Sequence, residues 1–269
     1  MEKLDVLITV KTYPIPSATY DELVCTAGVT RTGDFVRLYP INFRDLPYEK
    51  QYRKYQWIEV LATRHVGRDV RRESYRPDSS TIKPLGPPVS TSGGTWSERA
   101  KFVLAKKANS LEDLMDRQKV DRTSLGIFRP EHISDLVISP DDPAWKPKFL
   151  EELRQARIWE HRKHTLEPPR KVPFKFQYRF QCDDPRCSGK HQIMIEDWEV
   201  GALYWKMIDG GASPPIAAEK VREKFLDELC GPKKDTHFFV GTVLAHPNTW
   251  VVIGVFYPTL PKKERLLFD

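Results

Sequence analysis

The sequence lacks any long apolar run. None of its segments approaches the roughly 20 consecutive apolar residues that a transmembrane helix needs. The first residues also lack the basic segment, the apolar stretch and the small-residue cleavage site that make up a signal peptide. Together these absences predict a cytoplasmic protein without a membrane partner.

Cysteine is scarce as well. The four cysteines, Cys25, Cys182, Cys187 and Cys230, are too few and too unevenly spaced for a disulfide framework. In a reducing compartment they serve either as buried thiols or as metal ligands.

Familiar catalytic signatures are missing too, since the sequence contains no phosphate-binding glycine loop, no HExxH and no GxSxG. What is present is a globular composition, 40% hydrophobic and 30% charged, over 269 residues. The net charge of +6 permits a polyanionic partner without requiring one.

Short strand patterns fill the first part of the chain. Runs of apolar and β-branched residues predict strands at 6–10, 22–30, 35–41 and 57–62. This spacing favours a small barrel, and we predict an OB-like β-barrel domain over 1–90. A stretch rich in proline, serine, threonine and glycine at 77–94 is predicted to be a linker or a long loop.

Helical signals follow in 91–170, which we predict to be a helical connecting segment. Two capping patterns each predict the start of a helix, at Thr95 with Glu98 and at Ser110 with Asp113. A strand at 133–138 and a helix at 149–161 are predicted after them.

The pattern changes again at the C-terminal part, 171–269. Aromatic residues alternate with polar ones over 174–180, which predicts a half-buried strand. Helices are predicted from 195 to 205 and from 217 to 229, and a closing pair of strands at 238–244 and 250–257. The predicted fold class is therefore α+β, with a C-terminal α+β domain built around a zinc knuckle.

Cys182, Cys187 and His191 are the strongest candidates for a chemical site. Two thiolates and an imidazole this close in sequence can converge on one tetrahedral ion from a tight knuckle. The fourth ligand is left open between Cys230, His237 and His246, with Cys230 favoured. We predict structural Zn²⁺ as the cofactor, against the alternative that both cysteines are ordinary thiols on a loop.

Basic and aromatic residues mix in the β-rich part. Aromatic faces can stack on bases while cationic side chains neutralise phosphates, which is how small barrels hold single strands. The predicted nucleic-acid-binding residues are Arg37, Tyr39, Arg44, Lys54 and Tyr55. The alternative is that the aromatic residues belong to the core and the basic residues to a solvated surface.

A second class of function is a metal-dependent nuclease or phosphodiesterase. Asp197 and Glu199 could hold Mg²⁺, with Glu196 nearby and Lys206 close to the attacked phosphate. His237 or His246 could complete this site. Two-residue neighbours do not share a helix face, so an ordinary polar helix surface is the preferred interpretation of this pattern.

Six segments carry a resemblance to known sequences: LITVKTYP at 7–14, CTAG at 25–28, FVRLYPINFR at 35–44, CDDP at 182–185, DWE at 197–199 and THFFVG at 236–241. Through them the chain resembles a family of uncharacterised bacterial proteins. This resemblance does not indicate which activity to expect. The opening strand, the CTAG turn and the aromatic-x-Arg strand are also similar to the start of dual OB-type domains of bacterial conflict systems. That second resemblance implies nucleic-acid sensing.

The sequence thus predicts a nucleic-acid-binding, sensing module with a structural zinc site. The expected partners are a single-stranded or structured nucleic acid and a separate effector protein. The alternatives are the metal-dependent nuclease and a protein-interaction adaptor without a nucleic-acid role.

Overall fold

The computed structural model describes residues 1–17, 21–65, 69–159 and 167–260. The N-terminal part forms strands β1 (Glu2–Lys11), β2 (Ile15–Ser17), β3 (Asp21–Val29), β4 (Phe35–Ile41), β5 (Trp57–Arg64), β6 (Ser74–Pro77) and β7 (Lys83–Leu85). The four strands predicted from apolar runs are confirmed as β1, β3, β4 and β5.

Five of these strands close into a barrel. Their order is β1-β3-β4-β6-β5, and pairing of β1 with β5 closes the ring. All of these pairs are antiparallel except β4–β6, which is parallel. The interior is filled by alternating apolar side chains such as Val6, Ile8, Leu38 and Ile58. This closed five-stranded barrel is compatible with an OB-like fold.

The stretch predicted as a linker contains strand β7, which pairs with the edge of β5. It was missed because a three-residue strand with Pro84 at its centre has little periodicity, and proline is tolerated at such an edge.

The rest of the chain alternates helices and strands: α1 (Ser97–Val103), α2 (Leu111–Asp121), β8 (Leu125–Phe128), β9 (His132–Pro140), α3 (Pro147–Trp159), β10 (Phe174–Gln181), β11 (His191–Met194), α4 (Trp198–Asp209), α5 (Pro214–Arg222), β12 (His237–Val243) and β13 (His246–Phe256). They form two three-stranded sheets, β11-β10-β9 and β13-β12-β8. A π-helical turn, Glu223–Glu228, continues α5. The molecule is thus α+β, as predicted.

The segment 91–170 is not only the helical connector that the sequence predicted. Its strands β8 and β9 complete sheets whose other strands come from the C-terminal part. The end of the predicted helix 149–161 lies outside the described residues. The domain boundaries at 90 and 170 stay predictions.

The two capping patterns have different outcomes. Ser110 caps α2 as predicted, since its Oγ accepts the Asp113 N–H at 3.0 Å. The helix cap predicted at Thr95 is wrong. Helix α1 starts after Trp96, whose backbone is left-handed (φ 54°), and Thr95 Oγ1 donates to the Ser92 carbonyl. A local turn has therefore taken the hydroxyl that the sequence pattern assigned to the helix.

The barrel packs directly on the C-terminal part. Leu7 and Trp57 of the barrel share a core with Val251 and Phe256 of β13. Gly201 lets α4 approach the segment after β1, because a Cβ there would lie 2.1 Å from the Tyr13 ring. These contacts leave one outer face of the barrel beside the β12–β13 hairpin. Within the described ranges, no helix is long and apolar enough to cross a membrane.

Candidate functional site

A cavity of about 600 Å³ lies on the outer face of the barrel. Thr12 and Ile15, in the segment after β1, form one rim, and Cys25 of β3 lies on the barrel face. Strand β4 contributes Arg37 and Tyr39, and Arg71 precedes β6. These are the second and third barrel strands with two adjoining loops, which form the ligand face of OB folds. The volume suits a small ligand.

The opposite wall comes from the C-terminal part and is mostly apolar. The end of β12 and the hairpin turn supply Val243, Leu244 and Ala245, and β13 supplies Val251 and Ile253. The hairpin covers the barrel face, so the site is a cavity with walls from both parts of the chain.

Arg37 places a buried positive charge in this cavity. Its side chain is 2% exposed, and its guanidinium donates to Ser74 Oγ (3.2 Å), Ser124 Oγ (2.8 Å) and the Ser124 carbonyl (2.9 Å). Burial lowers the pKa of Arg37, while Glu73 opposes this from behind Ser124. None of the described carboxylates forms an ion pair with Arg37. A buried guanidinium of this kind favours an anionic ligand.

Arg71 joins the two walls. Its Nε and Nη2 donate to the carboxylate of Asp69 at 2.8 and 2.6 Å, and its Nη1 donates to the Thr242 carbonyl at 3.1 Å. Although burial favours the neutral acid, hydrogen bonds and charge from Arg71 lower the pKa of Asp69 to about 2. This pair is therefore ionised, and it ties the loop before β6 to β12.

Two further polar groups, one at the cavity and one on the far face of β12, have no protein partner among the described residues. Burial raises the pKa of Glu196, which lies between β11 and α4, and its carboxylate accepts no described hydrogen bond. It also borders a smaller cavity of about 170 Å³. Thr242 of β12 is 5% exposed, and its Oγ1 is buried without a partner. Buried groups of this kind are costly unless something pairs with them.

The structure brings two of the five predicted nucleic-acid-binding residues, Arg37 and Tyr39, to this cavity. It does not bring the other three there. Arg44 pairs with Glu22, Lys54 pairs with Asp197, and Tyr55 is 5% exposed with its ring against Trp96. Their role in binding stays a prediction. Sequence reasoning noted Glu196 only as a neighbour of Asp197 and Glu199 in the nuclease alternative, and it missed Thr242, because no local pattern marks that residue.

Asp197 occupies a different position from the one its sequence pattern suggested. It is the N-cap of α4, 1% exposed, and accepts the Glu199 N–H at 3.0 Å. Its carboxylate lies 2.9 Å from Lys54 Nζ, which also contacts Glu199 at 3.1 Å. Burial opposes the charge on Lys54, but these two carboxylates outweigh it and raise the pKa of Lys54. The interpretation of Asp197 as polar helix surface is therefore wrong.

The other residues of the nuclease alternative do not join Asp197 in a metal-ligand group. His237 is buried, with Nδ1 3.0 Å from the Asp235 carbonyl oxygen, and His246 is exposed at the start of β13. Lys206 lies in the last turn of α4. In the part of the chain that the structure describes, the one group of three or more potential metal ligands lies elsewhere.

That group consists of Glu112, Cys182, Cys187 and His191, whose ligand atoms all lie within 4.8 Å of one another. The knuckle starts where β10 ends and finishes where β11 begins, with Gly189 in the left-handed region (φ 72°) to make the turn. These four residues could hold a metal ion. The structure thus brings together the three ligands that the sequence predicted.

Contacts within the group are close. Cys187 Sγ accepts the backbone N–H groups of Cys182 (3.3 Å) and Gly189 (3.4 Å) and lies 3.3 Å from His191 Nε2. His191 Nε2 is also 2.7 Å from Glu112 Oε1, while Glu112 Oε2 is buried without a partner. The donors thus converge on one point.

The fourth position differs from the expectation. Cys230 lies outside the group, with Sγ 3.2 Å from the Phe225 carbonyl oxygen and 3.8 Å from the Tyr178 hydroxyl. Burial raises the pKa of the Cys230 thiol to about 12, as suits an inert core thiol. Glu112, from the first turn of α2, takes the fourth position of the group, for which the sequence favoured Cys230. Neither His237 nor His246 belongs to the group.

Barrel, sheets and cluster define an α+β protein with an OB-like barrel and a potential metal site. More particularly, the chain belongs to the family described as Domain of unknown function (DUF8757), whose model matches residues 106–269. Residues 2–105 match a second family model, Domain of unknown function (DUF8758). A search of curated proteins returned no match. The two matched regions meet between α1 and α2, so the cavity has walls from both.

Proposed function

We propose that the protein binds nucleic acid and holds one nucleotide unit of a single strand in the cavity between β4 and the β12–β13 hairpin. The observation that carries this proposal is the buried guanidinium of Arg37, on the ligand face of an OB-like barrel and without a carboxylate partner. A phosphate group would pair directly with this guanidinium.

The shape of the site supports one nucleotide rather than a running strand. In open OB folds a strand lies across the barrel face, but here the hairpin covers that face and leaves about 600 Å³. Tyr39 lines the same space as Arg37, and aromatic rings are the groups on which bases stack.

A binding titration tests this proposal against single- and double-stranded DNA and RNA at several salt concentrations. Arg37→Met keeps the length of the side chain and removes its charge. We expect it to weaken single-strand binding and to reduce the salt slope by about one phosphate contact. Arg53→Met is the matched control, because Arg53 is exposed outside the cavity.

Two results would overturn the proposal. One is the absence of binding to every nucleic acid at low salt, and the other is equal affinity of the Arg37 and Arg53 variants. Tyr39→Leu provides a second variant in case Arg37→Met does not fold, because Tyr39 is half-buried rather than enclosed. It should also weaken single-strand binding.

We also propose that Glu112, Cys182, Cys187 and His191 hold a structural zinc ion. Thiolate and imidazole donors suit zinc, and four protein ligands leave no open position for water. Ligand atoms around a tetrahedral zinc lie roughly 3.3–3.8 Å apart, which a small adjustment of the group would give. A bound ion would also satisfy the carboxylate of Glu112, which now has one unpartnered oxygen.

Metal analysis of protein purified without chelators tests the zinc proposal. We expect about one zinc per chain, retained in Cys230→Ser and lost in Cys187→Ser. Glu112→Gln should weaken retention during dialysis against a chelator. A chain without stoichiometric zinc would overturn the proposal, and loss of zinc in Cys230→Ser would overturn the ligand assignment.

A further inference from the structure

We infer that the cavity selects a guanine nucleotide, with Glu196 as the residue that recognises the base and the Arg37 end as the phosphate site. This inference rests on the proposed function, because it names the nucleotide that the same cavity would take. It depends on the placement of Glu196, which lines the cavity and whose carboxylate accepts no described hydrogen bond.

The backbone fixes Glu196 at the meeting point of the two walls. Its N–H donates to the Val252 carbonyl of β13 at 2.8 Å, and its own carbonyl accepts the Tyr13 N–H at 3.1 Å. The side chain lines the cavity from a held position. A preorganised acceptor of this kind can discriminate between ligands, since it does not have to be ordered on binding.

The cavity carries opposite charges at different places. Arg71 is already paired with Asp69, and neither Arg71 nor Arg37 forms an ion pair with Glu196 in the described structure. Thr242 joins the cationic end through its carbonyl, which accepts from Arg71 Nη1. Its side chain points away from the cavity, because the neighbouring Gly241 faces Arg37 and successive strand residues face opposite sides. A ligand that satisfies both ends has a negative group and, apart from it, N–H donors.

Guanine meets the requirement at the acidic end better than the other bases. An ionised carboxylate accepts hydrogen bonds through two oxygens, and a pair of parallel N–H donors satisfies both at once. Guanine presents such a pair on its ring imide and its exocyclic amino group. Cytosine and adenine present one amino group, and uracil presents one N–H flanked by two carbonyl oxygens that a carboxylate repels.

Titration calorimetry of the full chain with GMP, CMP, AMP and UMP tests the inference. We expect GMP to bind about tenfold or more tighter than UMP, which corresponds to one good bidentate contact. Glu196→Gln keeps the size of the side chain, and it should abolish the preference for GMP while leaving UMP binding unchanged. The matched control, Glu219→Gln, changes an exposed acid on α5 and should keep the preference.

The same experiment separates failure of the inference from failure of the proposed function. Equal affinity for the four nucleotides, or an unchanged GMP preference in Glu196→Gln, overturns the inference while strand binding still supports the proposed function. Failure of all nucleotides and all strands to bind overturns both. Short strands with a terminal or an internal guanine distinguish a nucleotide within a strand from a free nucleotide as the ligand. If GMP binds and none of these strands binds, the inference is upheld and the ligand is a free nucleotide rather than a nucleic acid.

Discussion

The polar side chains of the metal-ligand cluster and those of the barrel cavity have opposite surroundings. In the cluster, His191 Nε2 touches both Cys187 Sγ and Glu112 Oε1, and the donors face one another across a few ångströms. In the cavity, Glu196 borders about 600 Å³ of space, and its carboxylate accepts no described hydrogen bond. The polar groups of the cluster contact one another, whereas the cavity leaves a polar group open to a ligand.

This difference separates what serves the fold from what serves a ligand. Buried polar groups that are satisfied by one another, or by an ion that they enclose, stabilise the chain that carries them. Groups that stay unsatisfied cost stability and are explained when something else pairs with them. Changes to the cluster should therefore act mainly on stability, whereas changes to the cavity should act mainly on binding.

The largest effect is expected from breaking the cluster. If it holds zinc, Cys182→Ser should lower the midpoint of thermal unfolding by roughly 10 °C, because a structural metal contributes several kcal/mol to folding. A strong chelator should lower the midpoint of the unmodified protein similarly. Cys230→Ser is the matched control, since it changes a half-buried thiol outside the cluster. Equal losses in both variants would contradict the comparison.

A smaller but still substantial effect is expected at the contact between the barrel and α4. Asp197→Asn preserves the helix cap and leaves Lys54 without its buried partner, so it should lower the free energy of unfolding by about 3 kcal/mol. Chemical denaturation gives this value. Glu199→Gln is the control: Glu199 contacts the same lysine but is 52% exposed, and its loss should have little effect.

Lys54→Met combined with Asp197→Asn sharpens that prediction. Removing both charges should recover part of the loss, because no unpaired buried charge then remains. If Asp197→Asn lowers the free energy of unfolding no more than Glu199→Gln does, the Lys54–Asp197 pair does not hold the barrel against α4.

Sequence reasoning found what local patterns encode. Four of the five barrel strands followed from apolar runs, and the Ser110 cap and the three clustered potential ligands followed from spacing within a few residues. Glu112 could not be found in this way, because its contact with His191 joins positions far apart in the chain. The cavity was equally hidden, since its walls meet through the packing of β13 on the barrel. Local spacing predicts elements and knuckles, but a site between two folded parts depends on long-range packing.

Thr242→Val offers the smallest effect and the most direct separation of fold from ligand. The substitution nearly preserves shape and removes the buried, unpartnered hydroxyl. It should therefore raise the free energy of unfolding of the free protein by about 1 kcal/mol. The same change should leave nucleotide binding unchanged, because the Thr242 side chain is on the face of β12 that points away from the cavity. Urea denaturation and titration with GMP measure the two effects.

Thr236→Val is the control for that substitution. Thr236 is also a buried threonine, but its Oγ1 donates to the Leu229 carbonyl at 2.7 Å, so its loss should destabilise the protein and leave nucleotide binding unchanged. Opposite signs for the two variants would mean that the buried Thr242 hydroxyl lacks a partner and lowers the stability of the fold. The same sign for both would mean that the Thr242 hydroxyl finds a partner within the protein.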